Sequence, residues 1–318
     1  MRDMVIKVKD FQKSYGDFVA VDRITFNVER GEIFGLLGPN GAGKTSTLES
    51  LEGLRAPDGG TLAVAGVDPA KEPGKLRNVI GVQLQSSGLP ETITPKEAMK
   101  FFCAYHGVPT QYELLERLGL AEKLNDQYHQ LSTGQQRRLA LALAVAHDPQ
   151  VLFLDEPTAG LDVAARVELH ELMRERQSAG TTIILATHDM AEAEEMADRV
   201  AILLKGKIAA VGSPLELTAT GANLTKISVR SKASILLKDD HDVPGVNQSL
   251  VKDEYVIYFS TDIGRTVSAI INTIETKGDS LIDLRVERPS LEDRFLEITS
   301  SPGGGTEIQP VSKQRSFA

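Results

Sequence analysis

One cysteine, Cys103, occurs in the 318 residues, and tryptophan is absent. A single thiol excludes a disulfide within the chain, and a reducing compartment suits it best. Positive charge is scarce as well. The chain has 35 Lys and Arg against 44 Asp and Glu, a formal net charge of −9. That balance argues against a protein that grips nucleic acid by its phosphates, which would be basic. Long apolar runs are also missing. VLFL (151–154) and VAILL (200–204), among the most apolar stretches, fall far short of the roughly 20 residues that span a bilayer. The opening MRDMVIKVKDFQKSYG has no apolar core behind its charges and does not read as a signal peptide. No direct membrane insertion is expected, so any action on a membrane must pass through a partner.

The remaining composition, 41% hydrophobic and 25% charged, is that of a folded protein. The length predicts one large domain with an appendage. Strands are predicted over 4–11 and 19–28, then IFGLLG (33–38), a glycine-rich loop and a helix marked by Leu48, Leu51 and Leu54. After the turn at Pro57-Asp58-Gly59-Gly60, TLAVAG (61–66) reads as a strand. Residues 94–147 carry helix signals without convincing strands. Thr94-Pro95-Lys96-Glu97 combines an N-cap, a proline at N1 and a capping-box glutamate, and Thr110-Gln111-Tyr112-Glu113 repeats the box. A third helix runs from about Gln135 to His147.

Strand and helix then alternate: VLFLD (151–155), a helix over 163–178, TIILAT (182–187), a helix near 189–197, and VAILL with a hairpin turn at Lys205-Gly206. Such βα units with apolar strands argue for a mostly parallel sheet covered by helices. After Gly221, KISVRS, YVIYFS and IDLRVER read as strands, and GRTVSAIINTIETKG and SLEDRFLEIT as helices.

Gly38-Pro39-Asn40-Gly41-Ala42-Gly43-Lys44-Thr45 fits G-x-x-x-x-G-K-[ST] between an apolar strand and an amphipathic helix. Glycines let backbone N–H groups wrap phosphate oxygens, and the helix N-terminus favours negative charge. Lys44 is suited to the β- and γ-phosphates, Thr45 to Mg²⁺. Asn40, Gly41, Ala42, Gly43 and Ser46 complete the expected nucleotide cradle. At the end of VLFLDE, Asp155 is expected to hold Mg²⁺ and Glu156 to orient and deprotonate the attacking water. Two acids after a strand can also serve only as helix caps.

Leu131-Ser132-Thr133-Gly134-Gln135 resembles the L-S-G-G-Q signature of ABC ATPases, with Thr133 in place of the first glycine. A serine-capped helix is the plain alternative. With the other motifs, residues 4–220 resemble an ABC transporter nucleotide-binding subunit. That resemblance implies an α/β P-loop fold with a mixed sheet core, an N-terminal antiparallel part and an inserted helical subdomain. With the change of pattern after Gly221, domains are expected at 1–221 (helical part about 90–148) and 222–299, the latter a small α+β unit, and the polar, Gly/Ser-rich 300–318 reads as a disordered tail. The resemblance also implies that Tyr15 stacks on adenine and that Gln85 senses Mg²⁺ and water, with Gln83 a nearby competitor. His188 would contact the γ-phosphate, and Asp162 would lie in a loop at the dimer interface.

In the family, Ser132, Gly134 and Gln135 would complete the ATP site of a second subunit, so a homodimer clasping ATP is expected. Arg288-Pro289-Ser290-Leu291-Glu292-Asp293-Arg294-Phe295-Leu296 resembles the ending of the drug-resistance branch. That branch serves separate ABC-2-type permeases as exporters, which implies a polytopic permease partner and a place on the cytoplasmic face of the membrane. An importer ATPase, or a non-transport relative in DNA repair or translation, is the alternative. The second kind usually carries coiled-coil inserts or two cassettes, neither of which occurs here.

Overall fold

The structure, a computed structural model, describes residues 3–84, 88–219, 225–237, 243–287 and 290–300. The expected role of Gln85 and the expected disordered tail lie outside the described residues, apart from Ser300 at a helix end. The chain forms two compact units, the second beginning at Pro214.

In the first unit, β1 (Met4–Tyr15) and β2 (Phe18–Glu29) form a hairpin, followed by β3 (Ile33–Leu37), α1 (Lys44–Leu51), β4 (Gly59–Val64), α2 (Pro73–Leu76) and β5 (Ile80–Gln83). The helical insertion is α3 (Pro95–His106), α4 (Tyr112–Arg117) and α5 (Thr133–Val145). Then come β6 (Val151–Asp155), α6 (Val163–Ser178), β7 (Thr182–Thr187), α7 (Met190–Met196), β8 (Arg199–Leu204) and β9 (Lys207–Gly212). β2-β1-β4 is an antiparallel sheet, and β5-β6-β7-β3-β8-β9 is a second sheet, parallel except for β9.

Every residue of β3, β6 and β7 is buried, which is why these strands read as unbroken apolar runs. The two sheets share one core, in which the Phe26 and Phe34 rings stack with centroids 5.2 Å apart. Helix α5 lies so close on β5 that a Cβ at Gly81 would sit 2.0 Å from the Ala144 carbonyl oxygen. Only glycine permits that approach.

The helix signals hold unevenly. Thr94 and Glu97 form a full capping box on α3. The second box does not form: α4 starts one residue later than it requires, with Gln111 at the N-cap and no side-chain cap. Thr110 then falls outside the helix, where its hydroxyl cannot serve the N3 amide.

The second unit holds α8 (Pro214–Ala219), β10 (Thr225–Ser231), β11 (Val246–Lys252), β12 (Tyr255–Ser260), α9 (Ile263–Thr276), β13 (Leu281–Glu287) and α10 (Leu291–Ser300). Its antiparallel sheet has the order β11-β12-β10-β13, a split βαββαβ arrangement in which a single 3₁₀ turn, 235–237, is described where the first helix would stand. Ile270 and Ile274 of α9 pack on Ile227, Val229, Val256 and Tyr258 of the sheet.

Candidate functional site

β3 ends at Leu37, and the chain turns through the glycine-rich loop into α1. No side chain caps α1. Its N-cap is Gly43, at φ 104°, where a Cβ would meet the Ala20 carbonyl oxygen at 2.7 Å. The first N–H groups of the helix are therefore left for an anion. The loop is braced from behind, since Gly206 at the β8–β9 turn donates to the Ala42 carbonyl at 3.1 Å. Lys44 is buried, and its Nζ donates to the carbonyls of Gly38 (2.7 Å) and Pro39 (3.3 Å). Burial lowers its pKa, opposed by the neighbouring Glu156 and Asp155 carboxylates.

Asp155 closes β6 and accepts a hydrogen bond from Thr45 Oγ1 at 3.3 Å. Burial, then repulsion from Glu156, raises its pKa. Glu156 has φ 50°, a left-handed conformation that a residue with a Cβ adopts at a cost. Three neighbours over-determine it. Its N–H donates to the Ala186 carbonyl at 2.9 Å, and its carbonyl accepts from Arg137 Nη1 at 3.4 Å. Its carboxylate takes the His188 N–H at 3.0 Å and lies 2.7 Å from His188 Nδ1, which keeps the ring proton on that nitrogen. Lys44 Nζ is 3.9 Å from the same carboxylate.

Tyr15, at the end of β1, is partly exposed, so it is not a core tyrosine. Its hydroxyl donates to Ser46 Oγ at 3.3 Å, and the cations of Lys13 and Arg55 lie 5.6 and 5.4 Å from its ring centroid. One cleft is lined by Tyr15, the loop from Pro39 to Ser46, Asp155 and Glu156. The structure thus brings together Tyr15, Asn40, Gly41, Ala42, Gly43, Lys44, Thr45, Ser46, Asp155 and Glu156, with His188 holding Glu156 from behind.

Ser132, Gly134 and Gln135 do not line that cleft. Ser132 caps α5: its Oγ accepts from the Gln135 N–H at 3.2 Å, and Gln135 Oε1 accepts from the Ser132 N–H at 2.8 Å. At Gly134 a Cβ would meet the Gly160 carbonyl and Leu161 only at 3.6 Å, so nothing among the described residues demands glycine there. Asp162 caps α6 by accepting from the Ala165 N–H at 2.8 Å. Gln83 is buried at the end of β5, and its Oε1 has no partner among the described residues.

The sequence profile described as ABC transporter matches residues 21–159. The daunorubicin resistance ATP-binding protein DrrA3 of Streptomyces coeruleorubidus is 33% identical over 94% of this chain and 97% of its own. The Nod factor export ATP-binding protein I of Paraburkholderia xenovorans (strain LB400) is 35% identical over 94% and 98%. A dimeric structure of a bacterial ABC transporter cassette superposes with a TM-score of 0.60 at 27% identity, over 65% of this chain and 98% of that one.

The chain belongs to the ABC transporter family. It is an ATP-binding, ATP-hydrolysing subunit, and cassettes of this family work as dimers alongside membrane permeases. The cleft of this ATPase subunit suits a hard divalent cation. Thr45 Oγ1 and Asp155 offer oxygen donors, and two carboxylates face one lysine, leaving net negative charge. No group of three or more acidic, His or Cys side chains that could cage a metal occurs among the described residues. That fits an ion which takes one or two protein oxygens and completes its shell with phosphate and water.

Sequence reasoning missed two parts of the subunit's site. Arg137, two residues past the Leu131–Gln135 run, fixes the Glu156 carbonyl, and a basic residue just past a helix N-terminus was the available signal. Phe18 and Ala20 line the cleft from β2 because the Gly16-Asp17 turn folds that strand back beside Tyr15.

Proposed function

We propose that this subunit binds MgATP in the cleft of its glycine-rich loop and closes head-to-tail on a second copy to hydrolyse it. On this reading, each copy drives a separate polytopic ABC-2-type permease that exports its substrate. The N–H groups at the start of α1 and of the loop cradle the phosphates, and Lys44 exchanges its own loop carbonyls for phosphate oxygens. Thr45, Asp155 and Gln85 would hold Mg²⁺, which supplies charge to offset that of the phosphates. Glu156 takes the proton of the attacking water. His188 and the strained backbone aim its carboxylate, and Lys44 offsets charge as the γ-phosphoryl leaves.

The observation that carries this reading is the held Glu156 beside Asp155 and Lys44. Ser132, Gly134 and Gln135 serve in trans on the partner's ATP, and Asp162 sits at that interface. The freedom of Gly134 from any steric demand among the described residues supports a requirement set from outside the chain. No helix among the described residues is long and apolar enough to cross a membrane. On the proposed reading the permease is a separate chain, and the subunit docks on its cytoplasmic face. Phe101 and Tyr105, one turn apart on α3, are large exposed aromatics of the kind that such docking would cover. Export follows from the names of the relatives, which concern drug resistance and Nod factor export.

The test is cross-linking in native membranes with wild type and Glu156→Gln, then identification of the captured chains. A polytopic permease, enriched by the variant in MgATP, is expected. Ribosomal or DNA-bound proteins without a membrane partner would overturn the reading.

A further inference from the structure

The sheet of the second unit ends in β13, which pairs with β10 on one side and with no strand on the other among the described residues. An open edge strand is a template for another chain unless it is blunted. β13 carries no proline or lysine, and Ile282, Arg285 and Val286 are exposed along it. Its regular part runs from Asp283 to Glu287, paired in step with Arg230 to Lys226. Leu284 packs toward the α9 core, and Val286 shares its face by alternation. Asp283 and Arg285 lie on the opposite face, 2.9 Å apart.

We propose that β13 pairs antiparallel with β13 of a second copy about a twofold axis at Leu284, joining the two small sheets into one of eight strands. The sequence LIDLRVE is self-complementary in this register. Counting outward from Leu284, Asp283 falls opposite the partner's Arg285, and Arg285 opposite the partner's Asp283. Ile282 and Val286 face one another in the same way, so apolar residues continue the core face across the junction. Leu281 and Glu287 meet at the ends and add nothing. Both adjacent registers that keep α9 of each copy on one face fail. Centring on Asp283 puts two aspartates in contact, and centring on Arg285 puts two arginines in contact and sets Asp283 against Glu287. Opposite-charge and apolar cross-strand pairs stabilise a ladder and like charges disrupt it, so this register is singled out by chemistry. The interface is isologous, as a pair of identical chains requires. It needs no nucleotide, and so it is separate from closure of the cassettes on ATP.

The test uses the full chain without nucleotide, its mass followed by light scattering across the micromolar range. Wild type is expected to dimerise. Asp283→Arg alone and Arg285→Asp alone should each weaken the dimer at least about tenfold, since each sets like charges opposite twice. Mixing the two variants should restore dimers, because one chain then carries two arginines and the other two aspartates at the facing positions. A role for these residues only within their own chain would not yield rescue on mixing. Leu284→Cys, self-opposed on the axis, should oxidise to a disulfide-linked dimer, and Val286→Cys should not. A monomeric wild type, a mixture that stays monomeric, or equal cross-linking of the two cysteine variants would overturn the proposal.

Discussion

Glu52, at the C-terminal end of α1, is a buried carboxyl whose two oxygens have no hydrogen-bond partner among the described residues. Burial, then the carboxylates of Asp155 and Glu49, pushes its pKa from an ordinary 4.5 up to about 8. Between those two values the folded chain keeps a proton that the unfolded chain has lost. Stability therefore falls as pH rises through that window, and below it the two states bind the proton alike. At about 1.36 kcal/mol per tenfold change in proton affinity, the displacement is a ceiling of about 5 kcal/mol. Glu52→Gln keeps the shape and removes the titration. Near pH 8 the variant should melt above wild type by about 5 °C or more, taking about 2–4 °C per kcal/mol for a unit of this size and half the ceiling surviving relaxation. At pH 5 the gap should nearly close. Thermal unfolding by circular dichroism from pH 5 to 8.5 reads it, and parallel melting curves for the two proteins would refute the reasoning.

Three further outcomes follow from other contacts. Gly81→Ala should lower the stability of the cassette by about 3 kcal/mol or more, because α5 would have to lift from β5; denaturant unfolding checks it. If Tyr15 stacks on the base as proposed, Tyr15→Ala should raise the KM for ATP several-fold with kcat little changed, and Tyr15→Phe, which keeps the ring, should stay near wild type. Asp155→Asn should raise the Mg²⁺ concentration needed for half-maximal ATP turnover by about tenfold or more, read by magnesium titration.

Much of this architecture was legible because parallel strands buried on both faces leave unbroken apolar runs, as in β3, β6 and β7. The loop motif was legible because phosphate chemistry permits few residue types. β11 was not. Its sequence VNQSLVK is polar and mostly exposed, so it shows neither an apolar run nor a clean alternation. β1 runs on past its expected end to Tyr15, because Lys13, Ser14 and Tyr15 keep pairing with β2 after the alternation fades. Glu52 was invisible for another reason. A glutamate in LESLEG looks like any helix-surface acid, and only the packing of α1 reveals it as buried. The left-handed backbone of Glu156 likewise has no signature in residue type.

The measurement that tests the central claim most directly is ATP turnover by Glu156→Gln, with nucleotide binding followed in the same preparation. The account predicts that the Mg²⁺-dependent rate falls at least about 100-fold, as expected when a positioned base is lost. ATP should remain bound, and the variant should accumulate as a nucleotide-dependent dimer. Turnover at the wild-type rate would contradict it, because the carboxylate that His188 and the strained backbone hold beside Lys44 would then have no part in the reaction.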